Sequence, residues 1–419
     1  MPSRKHTTRL VLLAAPLLLG LAALSVAMMS GGPAGAAAPS PPASPSAASA
    51  APLASPASTA GPTASPASTA GSASRPAPTA ADRGVTAARA AAVMDAFDRA
   101  FYVERDGRGF IRASTTTSGY AGFWRTAEMI ELVEDAADRS GNGVYAHMVG
   151  ELTRGVFLRW GGRWAAHRRY NDDVMWMVLA FVRASAITGD QQLRDVAKRN
   201  FDAVFARAWS ADLGGGLWWT SDRHEKNTCV NAPAAIAAVR LSRALRDPGY
   251  LAKAKRLYAW VRRHLYDSET GAVYDHVFKD DDGQTVVDRA TYTYNQGTFT
   301  GAGSELYRAT HDAAYLDDAG GAMAFTRSDL TKDGVLHGEG GGDGGGFKGI
   351  FARYAGDYLR HDPTRTYEDW LAQNADAAWS HRNARDLMGQ DWAAPTPKGE
   401  LRAFDASSAV VLFQQLRGR

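Results

Sequence analysis

The sequence predicts an all-α fold, an (α/α)6 toroid of inner and outer helices with a cleft at the N-terminal ends of the inner ring. The first observation behind this is periodicity. From about Val85 onward apolar residues recur at helical spacing in segment after segment, while alternating runs suited to strands are scarce and short. The second is an alternation of connections, in which tight turns close one set of helix pairs and long loops rich in glycine and aromatics join the other. The third is that no consensus repeats per hairpin, which sets aside a solenoid scaffold.

Two segments precede the predicted toroid. Arg4, Lys5 and Arg9 lead into an apolar run from Leu10 to Met29, followed by small residues at Ala34, Ala36 and Ala38, so residues 1–38 read as a secretory signal peptide. An uncleaved membrane anchor is the alternative, weakened by Pro16 and Gly20 within the run. No cysteine lies near the cleavage region, which excludes a lipid-anchored form. Residues 39–83 collapse to Pro, Ala, Ser, Thr and Gly, and Ala-Ser-Pro-Ala-Ser-Thr-Ala-Gly occurs at Ala54–Gly61 and again at Ala64–Gly71. With so little apolar bulk this stretch reads as a disordered tether, leaving 84–419 as the folded domain.

Helix cores are expected near residues 85–103, 122–138, 142–158, 171–188, 191–208, 227–245, 249–265, 295–310, 312–327, 346–360, 365–382 and 404–416. The tight turns are centred on Gly141-Asn142, Gly189-Asp190, Asp247-Pro248, His311-Asp312 and Asp362-Pro363. The long loops are 160–170, 209–226, 266–294, 328–345 and 383–404. Helices that follow long loops would form the inner ring. Their first turns would bring Trp124, Asp172, Asp173, Asn227, Asn295 and the segment 344–348 to one face, where the long loops rim a binding cleft.

Charge and cysteine usage narrow the function. Residues 1–83 carry five Lys and Arg against Asp82, so the net charge of +3 becomes −1 for the remainder, and a near-neutral domain offers no electrostatic case for nucleic acid. Cys229 is the single cysteine, so no internal disulfide is available, and it reads as a small buried core residue. Zinc-protease and serine-hydrolase motifs are absent, and Asp280-Asp281-Asp282-Gly283 lacks the spacing of a calcium loop and reads as a turn.

The chemically loaded feature is Asp172-Asp173 at the start of the apolar run Val174-Met175-Trp176-Met177-Val178-Leu179. Carboxylates at a helix N-terminus often serve as caps that meet free N–H groups and the positive end of the dipole. One cap needs one side chain, however, and adjacent residues project about 100° apart, so a pair could flank a sugar with one group at the anomeric carbon and the other at the glycosidic oxygen. Trp160, Trp164, Trp209, Trp218, Trp219 and Trp392 lie in or beside the long loops and suit the apolar faces of pyranoses, whereas Trp176, Trp260, Trp370 and Trp379 are assigned to packing. The stretch 338–346 is glycine-dense but lacks phosphate-loop spacing, and serves either close backbone approach to a ligand or tight turns before a helix. Glu339 and Asp343 within it are further candidates for substrate contact or a reserve acid.

A series of stretches, in order, resembles glycoside hydrolase family 76, bacterial endo-α-1,6-mannanases with fungal cell-wall transglycosylase-like relatives. They are Phe123–Met129, Asp172-Asp173 with Trp176, Gly215–Trp219, Lys226-Asn227, Tyr294–Phe299 and Glu339–Phe351, spread through most of residues 85–415. The resemblance implies an (α/α)6 fold and hydrolysis of internal α-1,6-mannosidic bonds with retention, Asp172 acting as nucleophile and Asp173 as general acid/base. On this reading Asp172 stays ionised beside the helix dipole. Trp124, Asn171, Trp218, Asn227, Tyr294, Asn295, Gln296 and Lys348 are expected to hold substrate. Met177 stands where the family often has a second tryptophan, a departure expected to alter packing rather than chemistry. The expected protein is a secreted monomer acting on α-1,6-linked mannan, with no metal or organic cofactor, no nucleic-acid partner and no membrane partner beyond the export signal. Transglycosylation and non-catalytic glycan binding are the rival readings.

Overall fold

The computed structural model describes residues 80–416 apart from Pro363; the predicted signal peptide 1–38 and residues 39–79 of the predicted tether lie outside the described residues. The chain runs α1 (Ala80–Phe101), β1 (Tyr102–Arg105), β2 (Arg108–Ile111), α2 (Phe123–Ser140), α3 (Gly143–Trp160), α4 (Asn171–Thr188), α5 (Gln191–Ala208), β3 (Glu225–Asn227), α6 (Thr228–Leu245) and α7 (Pro248–His264). It continues with β4 (His276–Lys279), β5 (Thr285–Asp288), α8 (Thr293–Thr310), α9 (Ala313–Asp329), β6 (Thr331–Lys332), β7 (Val335–Leu336), α10 (Gly344–Leu359), α11 (Glu368–Ser380) and α12 (Ala403–Gln415). Helix α1 starts before the predicted domain boundary, because Pro78 is the last proline of the tether and Ala80-Ala81 are strong helix formers. Among the described residues no helix is long and apolar enough to cross a membrane.

The even-numbered helices form a closed ring: α2, α4, α6, α8, α10 and α12 pack in succession, and α12 returns to α2. The odd-numbered helices lie outside, α3 against α2 and α4, α5 against α4 and α6, α7 against α6 and α8, α9 against α8 and α10, and α1 and α11 against α12. The sequence dictates this sorting. Inner helices such as α4, buried continuously from Val174 to Val182, have no polar face, whereas outer helices such as α5 bury a stripe at Leu193, Val196, Ala197, Phe201 and Val204.

Four of the tight turns share one construction. The preceding helix ends on a residue in the left-handed region, Gly141, Gly189, Arg246 or His311. The next residue, Asn142, Asp190, Asp247 or Asp312, accepts a hydrogen bond from the backbone N–H two residues on. Two-residue connections of this kind fold each outer helix straight back along its inner partner. The long loops therefore all emerge at the other end, over the N-termini of the inner ring. They carry strands that the helical pattern did not signal, chiefly the antiparallel sheet β3-β4-β5, which joins two long loops with Asn227 opposite His276 and His276 opposite Asp288. Asp280 closes the β4-β5 turn by accepting from the N–H groups of Asp282 and Gln284 at 3.1 and 2.8 Å.

The glycines that open α10 are there for packing. A Cβ on Gly345 would lie 1.9 Å from Asp405 Oδ1, and one on Gly346 would lie 2.0 Å from the Phe404 ring, so α10 and α12 approach as closely as backbone allows. Just ahead of them Gly340 and Gly342 adopt positive φ of 84° and 74° in the turn before α10, which is the turn-forming use read from the sequence.

Candidate active site

A cavity of about 530 Å³ opens over the inner N-termini. Helix α2 contributes Trp124, α4 contributes Asp172, Asp173 and Trp176, and the start of α6 contributes Cys229. Tyr294 comes from α8 and Phe347 from α10, while Tyr170, Trp219, Glu225, Asn227, Asp275 and Asp343 come from the connecting segments. Among the described residues no group of three His, Cys, Asp or Glu side chains is placed to hold a metal ion.

The doublet does not cap its helix. Tyr170 occupies the cap position of α4 and no side chain completes a cap there, so Asp172 and Asp173 sit inside the first turn with their carboxyls at the cavity. Asp172 Oδ2 accepts from the Cys229 thiol at 3.6 Å, and Oδ1 is buried without a hydrogen-bond partner. Burial first, and then the neighbouring Asp173 charge, push the Asp172 carboxyl up to about 7, while the Trp219 indole, the Asp173 backbone and Cys229 pull it down. The indole lies near enough to exert that pull without completing a hydrogen bond, since Trp219 Nε1 is also unpartnered. Asp173 is raised by burial to a lesser extent, because Arg168, 3.4 Å from its Oδ2, favours the anion. Of the two carboxyls Asp172 is therefore raised the further. Desolvation at Asp172 thus opposes the ionised state expected beside the helix dipole.

The opposite wall is anchored by Asp275. Its Oδ1 accepts from Asn295 Nδ2 at 2.8 Å and from the Tyr294 hydroxyl at 3.5 Å, and its Oδ2 lies 2.9 Å from His276 Nδ1. His276 also faces Glu225 at 3.5 Å and Asp288 at 4.0 Å. Burial works against its charge, but the three carboxylates raise its pKa. Asn227 donates to Glu225 Oε1 at 3.1 Å and leaves its own buried Oδ1 unpartnered. At the other end Arg125 binds Asp343 at 2.7 Å, and Tyr294 stacks on Phe347 with ring centroids 4.0 Å apart.

Of the residues expected from sequence, the structure brings Asp172, Asp173, Trp124, Asn227 and Tyr294 together at the cavity. The other substrate-binding expectations are corrected, because the side chains are buried on partners of their own. Asn171 donates to Trp218 O at 2.8 Å and accepts from Arg207 Nε at 2.8 Å, stapling the Trp218-Trp219 loop to α4. Trp218 packs inward beneath Lys226 Nζ. Asn295 is buried and acts on Asp275, and Gln296 pairs with both the N–H and the carbonyl of Val273 at 3.1 and 2.8 Å. Lys348 is buried above the Trp392 ring and 3.4 Å from Leu336 O, with burial lowering its pKa to about 8. Glu339 binds the Thr293 N–H at 2.8 Å and its hydroxyl, tying the glycine-rich loop to the start of α8.

Among the loop tryptophans Trp219 reaches the cavity, whereas Trp164 and Trp392 are buried at 1% exposure. Trp160 packs edge-on against Phe123, and Trp209 stacks on Phe205. Trp176, assigned to packing, does pack but also floors the cavity. Met177 is fully buried. Sequence reasoning missed Tyr170, Glu225, Cys229 and Asp275, while Phe347 lies in the segment 344–348 expected at this face. The Asp275-His276 pair in a long loop that leads into Tyr294-Asn295 was the available signal.

A ring of helices presenting paired carboxyls and aromatic walls at one mouth suits a glycoside hydrolase, and comparison with known proteins places the chain in that class. The chain matches glycosyl hydrolase family 76 over residues 85–418 and belongs to that family. The alpha-1,6-mannanase of a Salegentibacter species superposes with a TM-score of 0.73 at 30% identity, covering 79% of this chain and 98% of that one. An inactive variant of that enzyme, with asparagine at two consecutive aspartate positions and in complex with alpha-1,6-mannotriose, superposes at 0.72 with 29% identity, covering 79% and 99%. Mannan endo-1,6-alpha-mannosidases of Candida glabrata and Eremothecium gossypii are 31% and 25% identical over 198 and 275 residues, or 42% and 59% of this chain. These alignments span 43% and 60% of the two fungal proteins.

Proposed function

We propose that this chain is a secreted, retaining endo-α-1,6-mannanase that hydrolyses internal α-1,6-mannosidic bonds of a microbial mannan through a covalent glycosyl-aspartate intermediate. The observation that carries the reading is the carboxyl doublet, free of any capping role, at the floor of an aromatic-walled cavity. The inactive Salegentibacter variant supports it: two consecutive aspartates are replaced there and an α-1,6-linked mannotriose is bound. The basic, apolar and small-residue succession of residues 1–38 supports export.

Asp172 attacks the anomeric carbon to form a glycosyl ester while Asp173 protonates the departing glycosidic oxygen; Asp173 then takes a proton from water, which cleaves the ester. The raised Asp172 carboxyl is compatible with these roles because neighbouring carboxyls share their titration. A glycosidic oxygen at Asp173 favours its neutral form, and positive charge developing at the anomeric carbon favours the Asp172 anion, so bound substrate moves the shared proton across. Asp275, held by its three donors, is a fixed acceptor for sugar hydroxyls.

The roles are tested with an aryl α-manno-oligosaccharide bearing a good leaving group, in the presence of azide. Asp173→Ala should release phenol and, with azide, yield the α-glycosyl azide, since azide replaces water at a formed ester. Asp172→Ala should yield the β-azide by direct displacement. Exchanged products would mean exchanged roles.

A further inference from the structure

The Cys229 thiol takes no part in the mechanism above, yet it stands where the two walls of the cavity meet. It occupies the first turn of α6, 5% exposed, with Sγ 3.6 Å from Asp172 Oδ2. On its far side is the Tyr294 hydroxyl, which also reaches Asp275 Oδ1 at 3.5 Å. A chain of polar groups therefore runs from Asp275 through Tyr294 and Cys229 to Asp172. Asp172 Oδ1 and the Oδ1 of Asn227, a residue only 4% exposed, are both buried without partners in the lining of this cavity.

We propose that Cys229 is a positioning residue for the glycosidic reaction, its S–H fixing Asp172 Oδ2 as a deliberately weak donor so that the carboxylate is oriented without being quenched. The inference rests on the function proposed above. Burial, with the Asp172 and Asp275 charges adding to it, holds the thiol well above its usual range, so the group is an S–H at working pH and not a nucleophile. A hydroxyl there would donate more strongly, favouring the anion and drawing electron density from the oxygen that must attack. An alkyl group would leave that oxygen desolvated with no donor. The other charged or titratable groups around Asp172 are Asp173 beside it with Arg168 and Asp343 beyond, and Tyr294 and Asp275 across the cavity.

The test compares wild type, Cys229→Ser and Cys229→Ala in the pH dependence of kcat/KM on linear α-1,6-mannan. A donor stabilises the charged carboxylate, so serine should move the acidic limb to lower pH and alanine to higher pH, each by about half a pH unit, given that a hydrogen bond to a charged group is worth about one. Serine should also lower the plateau kcat. Profiles superimposing on wild type, with activity retained, would overturn the proposal. Serine differs by one atom, so it decides the matter if alanine fails to fold. If the wild type releases no reducing ends, the functional reading fails separately; the Asp172 carboxyl titration, followed by 13C NMR, then decides the thiol's part, and an unshifted value in Cys229→Ser counts against it.

Discussion

The two ends of the inner ring both bury carboxyl groups and treat them in opposite ways. Towards the C-terminal end, Asp135 lies between Arg183 at 2.7 Å and Arg353 at 2.9 Å. Burial would raise its pKa, but the two guanidiniums hold it below the usual carboxylate range. Glu131 meets Arg240 at 3.0 Å and Arg353 at 3.4 Å, and Glu305 meets Arg240 at 3.3 Å. At the N-terminal end Asp172 has no cation in contact, only a thiol and a second aspartate, and its pKa climbs to about 7. The helix dipoles suit this division, since six converging C-termini favour arginine and six converging N-termini tolerate a carboxylate without one. The comparison separates the two uses of a buried charge: a carboxylate ringed by arginines holds helices together, and one left under-partnered at an opening is free to react.

Breaking each end should therefore fail differently. Asp173→Asn at the cleft should lower turnover on α-1,6-mannan by about 10²- to 10⁴-fold, the usual contribution of a general acid/base. Its thermal midpoint should stay close to wild type, because the carboxylate holds no helix in place. At the base, Arg353→Met removes one cation from Glu128, Glu131 and Asp135 together and should cost about 3–5 kcal/mol in chemical denaturation. The molecules that remain folded should cleave at the wild-type rate. Asn171→Ala falls between the two kinds: it leaves Trp218 O and Arg207 without their partner, costing about 1–3 kcal/mol, and also raises KM by loosening Trp219.

The gentlest expected effect sharpens the contrast through pH. Glu134, like Glu128 and Asp357, departs from Asp135 at the base: both its oxygens lack hydrogen-bond partners and burial holds its pKa well above 4.5 despite Arg183 nearby. A carboxyl raised in the folded state contributes stability that is full below its unfolded value and is lost as pH climbs above 4.5. Glu134→Gln should flatten the decline in unfolding free energy measured between mildly acidic and alkaline pH. An unchanged slope would show that Glu134 does not titrate in the folded chain.

Much of the fold was legible because its signals are local. Helical periodicity marked each helix, and the Gly141-Asn142 and Gly189-Asp190 turns carry their geometry in two residues. The three-stranded sheet was not legible, since strands of three or four residues drawn from two separate loops leave no pattern to read. At the site, the residues on inner-helix first turns, Trp124, Asp172, Asp173 and Tyr294, follow from the ring geometry. What the sequence could not say was which member of a polar or aromatic pair faces the cavity. Trp218 and Trp219 are adjacent, yet Lys226 covers the first and the cavity receives the second. Asn295 and Asp275 are hydrogen-bonded neighbours, the first buried and the second lining the cavity.

The central claim is that the Asp172-Asp173 doublet cleaves α-1,6-linked mannan, and the direct measurement is the release of reducing ends from linear α-1,6-mannan by the purified chain beside Asp172→Asn and Asp173→Asn. The account predicts steady release of internal fragments by the wild type and near-complete loss in both variants, each folded and still binding manno-oligosaccharide. Binding without product in the wild type, or undiminished cleavage by either variant, would contradict it.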